Sequence, residues 1–182
     1  MRLVETTRFR RGKLPHWEIK HGRYFVTVRL ADSLPSPVVA RLQEIHRALS
    51  AVEPASEQFT ALQRQSFRTM EKYLDAGTGA CLLREAAHAI VVHTELLALA
   101  DWHVAVPHFT IMPNHWHALI VPAPNCRHSL AEIMKRLKGR TGKQLRAATA
   151  DKRHRPRLAT RVVRPLDARR PRVGKNRRLH PP

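Results

Sequence analysis

Residues 112–122 read Met-Pro-Asn-His-Trp-His-Ala-Leu-Ile-Val-Pro, MPNHWHALIVP. A Pro-Asn pair favours a turn, and the apolar run after it favours a strand. Side chains on a strand alternate between two faces. His115, His117, Leu119 and Val121 therefore line one face, and Trp116, Ala118 and Ile120 line the other. Two imidazoles side by side on one face can grip a metal, hold a phosphate or simply pack.

The flanking sequence supplies a frame for that strand. Trp102–Met112 reads as a second strand, joined through Pro113-Asn114 in an antiparallel hairpin. Tyr24–Leu30 alternates and is rich in β-branched and aromatic residues, so it too reads as a strand. Ser36–Val52 has helical spacing, with Val39, Leu42, Ile45 and Leu49 on one stripe. Further helices are predicted over Glu57–Leu74 and Leu83–Leu99. The last helix starts at Ser129, a cap with Glu132 three residues on. Leu130, Ile133, Met134 and Leu137 form its apolar stripe, and Gly139 and Gly142 weaken its middle. Strands paired in hairpins, with helices segregated from them, predict an α+β sandwich with helices mainly on one face of an antiparallel sheet.

The chain has 182 residues, 43% of them hydrophobic, which suffices for one domain with a core over residues 1–150. No apolar run approaches the length of a bilayer span. The N-terminal stretch lacks the apolar segment of a secretory signal. Cys81 and Cys126 form neither a disulfide framework nor a cysteine zinc site, so a reducing cytoplasm is the simplest home. The net charge of +19 favours a polyanionic partner, most often nucleic acid. Residues 151–182 hold 12 Lys and Arg against 2 Asp, with many prolines and no apolar period. That composition predicts a disordered basic tail. Lys135, Arg136, Lys138, Arg140, Lys143 and Arg146 make the last helix basic too, either for phosphate contact beside the histidines or as a solvated face.

The histidine segment resembles the His-hydrophobic-His motif of the IS200-like transposases, in particular the REP-associated tyrosine transposases. The matching residues are Met112, Pro113, Asn114, His115, Trp116 and His117. Leu14–Trp17, Tyr24–Pro35, Gly77–Glu85 and the basic helix Ile133–Leu145 resemble family segments in family order, over about residues 14–148. The resemblance implies a ferredoxin-like domain, often a homodimer, that binds single-stranded or hairpin DNA at repeat ends. It implies Mg²⁺ or Mn²⁺ held by His115 and His117, with a third ligand of carboxylate or amide type. Glu132 is a weak candidate for that ligand. The basic helix offers Lys135, Lys138, Arg140 and Lys143 as DNA contacts, Lys138 and Arg140 first because they sit in the matched segment. The resemblance also implies a later tyrosine that attacks a DNA phosphate and forms a 5′-phosphotyrosine link.

That tyrosine is the departure. The only two, Tyr24 and Tyr73, precede the motif and read as packing residues. Codons compatible with residues 161–182 can be chosen so that a one-nucleotide shift reads GSYDHWMRDVRELEKTVAYIHR. In the same frame Leu158-Ala159 can hide a Trp-Gln pair. This hidden peptide carries the family's tyrosine and an amphipathic helix, so the tail reads as a frameshift product and the chain as an inactive transposase. The competing readings are a non-catalytic binder of hairpin or single-stranded DNA and a metal-dependent nuclease that uses water.

Overall fold

A computed structural model describes residues 6–10, 16–19, 22–53, 56–149, 156–159 and 162–165. Its elements run β1 (Thr6–Arg10), β2 (His16–Ile19), β3 (Tyr24–Arg29), α1 (Ser36–Ala51), α2 (Glu57–Asp75) and α3 (Ala86–Leu97). After these come β4 (Val104–Ala105), β5 (Phe109–Met112), β6 (His115–Pro122), α4 (Leu130–Ala148) and β7 (Val162–Pro165). Strands β1 and β2 pair antiparallel as a separate ribbon, which the sequence pattern does not single out.

The strand of the two histidines, β6, is the centre of the main sheet. It pairs antiparallel with β3 in a register that sets Thr27 opposite His117 and Arg29 opposite His115. Its other edge takes β5, with Thr110 opposite His117, and then β4, with Val104 opposite Pro122. The fold is thus the expected α+β class, an open antiparallel sheet ordered β4-β6-β3-β7 with β5 also paired to β6.

The single strand predicted over Trp102–Met112 is broken in two. A 3-10 turn occupies Ala98–Trp102, and His103 adopts a left-handed conformation at φ 57. Pro107 then interrupts the ladder, because it has no N–H to donate. Across the gap the His108 carbonyl still accepts from Leu119 N at 2.8 Å.

Alternation divides the two faces of β6 as its sequence predicts. Trp116, Ala118 and Ile120 are buried in the main core with Tyr24, Val26 and Val28 of β3. Val92 and Leu96 of α3 and Ile133, Met134, Leu137 and Leu145 of α4 complete that core. Helix α4 begins in a complete capping box between Ser129 and Glu132, worth about 1 kcal/mol, and runs unbroken through both glycines.

Helices α1 and α2 form a hairpin with small cores of their own, around Leu42, Met70 and Leu74 and around Ile45, Leu49 and Phe59. Among the described residues no helix is long and apolar enough to cross a membrane.

The tail needs a correction. Composition predicts disorder over 151–182, yet the described parts of that stretch lie against β3. Ala31 N donates to the Arg157 carbonyl at 2.7 Å, and Ala159 N donates to the Arg29 carbonyl at 2.8 Å. Leu158 packs on the main core. Strand β7 pairs antiparallel with β3, setting Val162 opposite Thr27. The physical reason is the outer edge of β3, whose backbone groups need partners. A short run with Val162 and Val163 can supply them, whatever the surrounding composition. Residues 166–182, which complete the predicted tail, lie outside the described residues.

Candidate metal centre and nucleic-acid face

The face of β6 opposite the main core carries the histidines. His115 is fully buried, and His117 is partly open. Their Nε2 atoms converge to 3.1 Å. Each Nδ1 is turned away to a fixed polar group. That of His115 meets Asn114 Oδ1 at 2.7 Å, and that of His117 meets Thr27 Oγ1 at 2.9 Å. The Phe25 ring stacks on His117 with centroids 5.2 Å apart. An imidazole whose Nδ1 is held by a second group while its Nε2 points into a shared space is the arrangement metal-binding histidines use.

Electrostatics match. Burial first, and His117 second, push the pKa of His115 down to about 4, with Asp75 acting against them. Burial lowers His117 in the same direction, again opposed by Asp75. Both rings are therefore neutral at pH 7, the protonation state that can coordinate. Two carboxylates stand near them in a chain whose net charge is +19. Glu71 Oε2 lies 3.6 Å from His117 Nε2, and Asp75 is close enough to shift both rings. They sit four residues apart on the last turn of α2, hence on one side of it. The negative end of the helix dipole adds to the same field.

Neither carboxylate is among the residues the sequence motif points to. A signal is present all the same: Asp75 ends a helix where a negative charge is unfavourable, which suggests that the charge serves something outside the helix. Glu132, the carboxylate that the sequence offers instead, is committed to the cap of α4, with its Oε2 2.8 Å from Ser129 N.

A groove of about 470 Å³ runs from His117 past Phe25, His108, Thr110 and Leu119. Pockets of a few hundred Å³ are of ligand size.

The four basic residues of α4 are not brought to this face. Helix α4 packs on the Trp116 side of the sheet, opposite the histidines. Lys135 and Lys143 are exposed, and Lys138 is partly buried. Arg140 is paired, its Nε donating to Glu95 Oε2 of α3 at 2.7 Å. Gln144 also bonds the Glu95 carboxylate, which is almost fully buried. Arg136 lies over the Trp102 ring at 4.0 Å, and His128 stacks on that ring. Phosphate contact beside the histidines is therefore not what α4 offers; its free charge faces elsewhere.

Neither tyrosine reaches the site. Tyr24 is opposite Ile120 in the register and is buried in the main core, while Tyr73 packs in the α1–α2 hairpin.

The class so defined is an α+β domain with a His-x-His pair on its central antiparallel strand. Residues 92–160, from α3 through β6 and α4, match the family model described as Transposase IS200 like. That match supports a transposase family role. The match runs ten residues past the boundary at 150 that composition suggests. No curated protein matches the sequence.

Proposed function

We propose that this chain is the body of a REP-associated, single-strand DNA transposase in which His115 and His117 bind Mg²⁺ or Mn²⁺. The observation that supports this most directly is the convergence of two neutral Nε2 atoms to 3.1 Å. An ion held between the two rings would take one nitrogen from each, once His117 presents its Nε2 lone pair. Among the described residues no group of three or more His, Cys, Asp and Glu is set to hold a metal. His115 and His117 would hold the ion, with the Glu71 carboxylate 3.6 Å from His117 Nε2, and hard cations favour oxygen for what remains. When bound, the ion would polarise the phosphoryl oxygen.

The chain's own side chains do the rest. His115, buried and oriented by Asn114, fixes where the phosphate is held. Glu71 and Asp75 keep the site negative enough that a bare phosphate is repelled and a cation is required. The groove beside His117 receives the neighbouring nucleotides, with Phe25 and His108 as stacking surfaces for bases. Exposed Lys135 and Lys143, with Lys138, follow the backbone of a longer DNA on the far face, an interaction that gives affinity without sequence choice. A second copy of the chain completes a homodimer.

The phosphotyrosine step has no nucleophile here, because both tyrosines lie away from the histidines. The chain is thus an inactive transposase that binds DNA, and its tail over residues 151–182 is the product of a shifted reading frame. A metal-dependent nuclease using water on the same pair is the second reading, supported by the open positions left beside two nitrogens.

Three measurements test this. Mn²⁺ is expected to raise the melting temperature of the natural chain and not that of His115→Ala,His117→Ala; equal shifts in both would refute the site. Incubation with single-stranded oligonucleotides and Mn²⁺ is expected to give neither a covalent adduct nor cut products. Cut DNA without adduct would establish the nuclease reading instead. Resequencing the gene across codons 148–182 and beyond is expected to reveal an open shifted frame with a tyrosine codon; an uninterrupted original frame would remove the frameshift.

A further inference from the structure

The geometry points to Asn114 as the positioning residue that fixes the tautomer of His115 and ties it to the end of α2. This rests on the metal reading of the pair. Asn114 is buried, and its Nδ2 donates to the Leu74 carbonyl at 3.3 Å and the Thr78 carbonyl at 3.0 Å. Both partners are acceptors, so only the NH₂ side of the amide can face them. A flipped amide would set its oxygen against two carbonyl oxygens. The amide orientation is thereby decided, and Oδ1 is left facing His115 Nδ1 at 2.7 Å.

An amide oxygen only accepts. His115 must therefore carry its proton on Nδ1 and keep the lone pair of Nε2. That lone pair points at the space shared with His117. Thr27 imposes no such choice, since a hydroxyl both donates and accepts. Without a cation, His117 Nε2–H can donate to His115 Nε2 while the Thr27 hydroxyl donates to His117 Nδ1. Coordination through His117 Nε2 would require its proton on Nδ1, where Thr27 Oγ1 can accept it. One imidazole is preset and its neighbour adapts.

The same amide holds the carboxylate turn in place. Leu74 and Thr78 bracket the C-terminal end of α2, where Glu71 and Asp75 lie. Gly77 and Gly79 have φ of 66 and 91, so the turn that offers the Thr78 carbonyl is built from residues that tolerate such angles. A Cβ at Gly79 would stand 2.7 Å from the Asp32 carbonyl oxygen, so no other residue fits there. Docking of the α1–α2 hairpin and readiness of His115 are thus coupled through one side chain.

The test uses the full chain. Nitrogen-15 NMR of the histidine rings reports the tautomer without metal, and electron paramagnetic resonance of free Mn²⁺ reports affinity. The natural chain is expected to show the Nδ1–H form at His115. Asn114→Ala is expected to give a mixture of tautomers and a Kd for Mn²⁺ about 10- to 100-fold weaker, the usual effect of losing such a partner. Asn114→Asp keeps an oxygen for Nδ1–H but loses both donors to α2. It is expected to retain the tautomer and to bind Mn²⁺ within about threefold of the natural chain, at a lower melting temperature.

An unchanged tautomer or unchanged affinity in Asn114→Ala overturns the assignment. Loss of affinity in both variants, in step with their thermal stability, reduces Asn114 to a structural tie and also overturns it. If the natural chain binds Mn²⁺ no better than His115→Ala, the metal reading fails, and the tautomer in Asn114→Ala alone still decides the role of Asn114.

Discussion

His46 shows what happens to a partly buried imidazole whose inner nitrogen lacks a partner. It sits on α1, and its Nε2 finds no hydrogen-bond partner among the described residues. Burial lowers its pKa. Below the ordinary value of about 6.5 the unfolded chain accepts a proton that the folded chain resists. Stability from this group is therefore complete above that pH and falls as acid is added. His115 and His117 are lowered too and pull the same way. His46→Phe is expected to flatten part of the fall in melting temperature between pH 7 and 5; an unchanged slope would assign the acid sensitivity to the histidine pair alone. At this scale much of the site is legible in the sequence. Period-two alternation suffices to put His115 and His117 on one face and Trp116 on the other. It gives no access to Glu71 or Asp75, some forty residues away, because only tertiary packing brings α2 to β6. Nor does a motif say what Asn114 does, since that depends on two carbonyls in another element.

Elements follow the same division between local and distant causes. Helices α1 to α4 can be placed from apolar spacing and from caps such as Ser129, which act within a turn or two. The break at Pro107 escapes such a reading because an apolar run outweighs one residue without an N–H. Strand β7 escapes it because its cause is the open edge of β3, not its own composition. Ending the chain at Arg155 removes β7, the Leu158 packing and the bonds to Ala31 and Arg29. Burial of one partly covered leucine is worth about 1–2 kcal/mol. With the backbone bonds added, the melting temperature is expected to fall by about 5 °C or more, at about 2–4 °C per kcal/mol for a chain of this size. No change in a thermal scan would mean that β7 contributes nothing in solution. The α3–α4 pairing makes a second prediction. Arg140→Ala leaves the Glu95 carboxylate buried with one partner fewer, and breaking such a pair is destabilising. The variant is expected to melt lower, and Glu95→Leu in the same chain to recover the loss. DNA affinity is expected to change little in Arg140→Ala and clearly in Lys135→Ala,Lys143→Ala. The reverse order would make Arg140 a phosphate ligand after all.

For the molecule as a whole, two properties that a single binding assay would mix are built on separate parts of the chain. One is the diffuse charge of +19, concentrated toward the C-terminus. The other is a small site assembled from β3, β6 and the end of α2, where Glu71 and Asp75 stand near two neutral imidazoles. Diffuse charge binds any polyanion and is screened by salt. A cation site at the two histidines, as proposed, would act only at short range. A chain ending at Pro165 keeps β7 and every described feature of the site while removing Arg169, Arg170, Arg172, Lys175, Arg177 and Arg178. Its affinity for single-stranded oligonucleotides is expected to fall about equally for all sequences. The slope of log K against log salt should also become shallower, by about 0.7 for each DNA phosphate that is no longer neutralised. Its Mn²⁺-induced rise in melting temperature is expected to match that of the full chain. Fluorescence anisotropy across a salt series and a thermal scan with and without Mn²⁺ give the two readouts from the same pair of proteins. If the truncated chain kept the full salt slope, the basic tail would not touch DNA, and α4 with its exposed Lys135 and Lys143 would carry the nonspecific binding. If truncation removed the Mn²⁺ effect, the last residues would reach the histidines, and the site would extend beyond β3, β6 and α2.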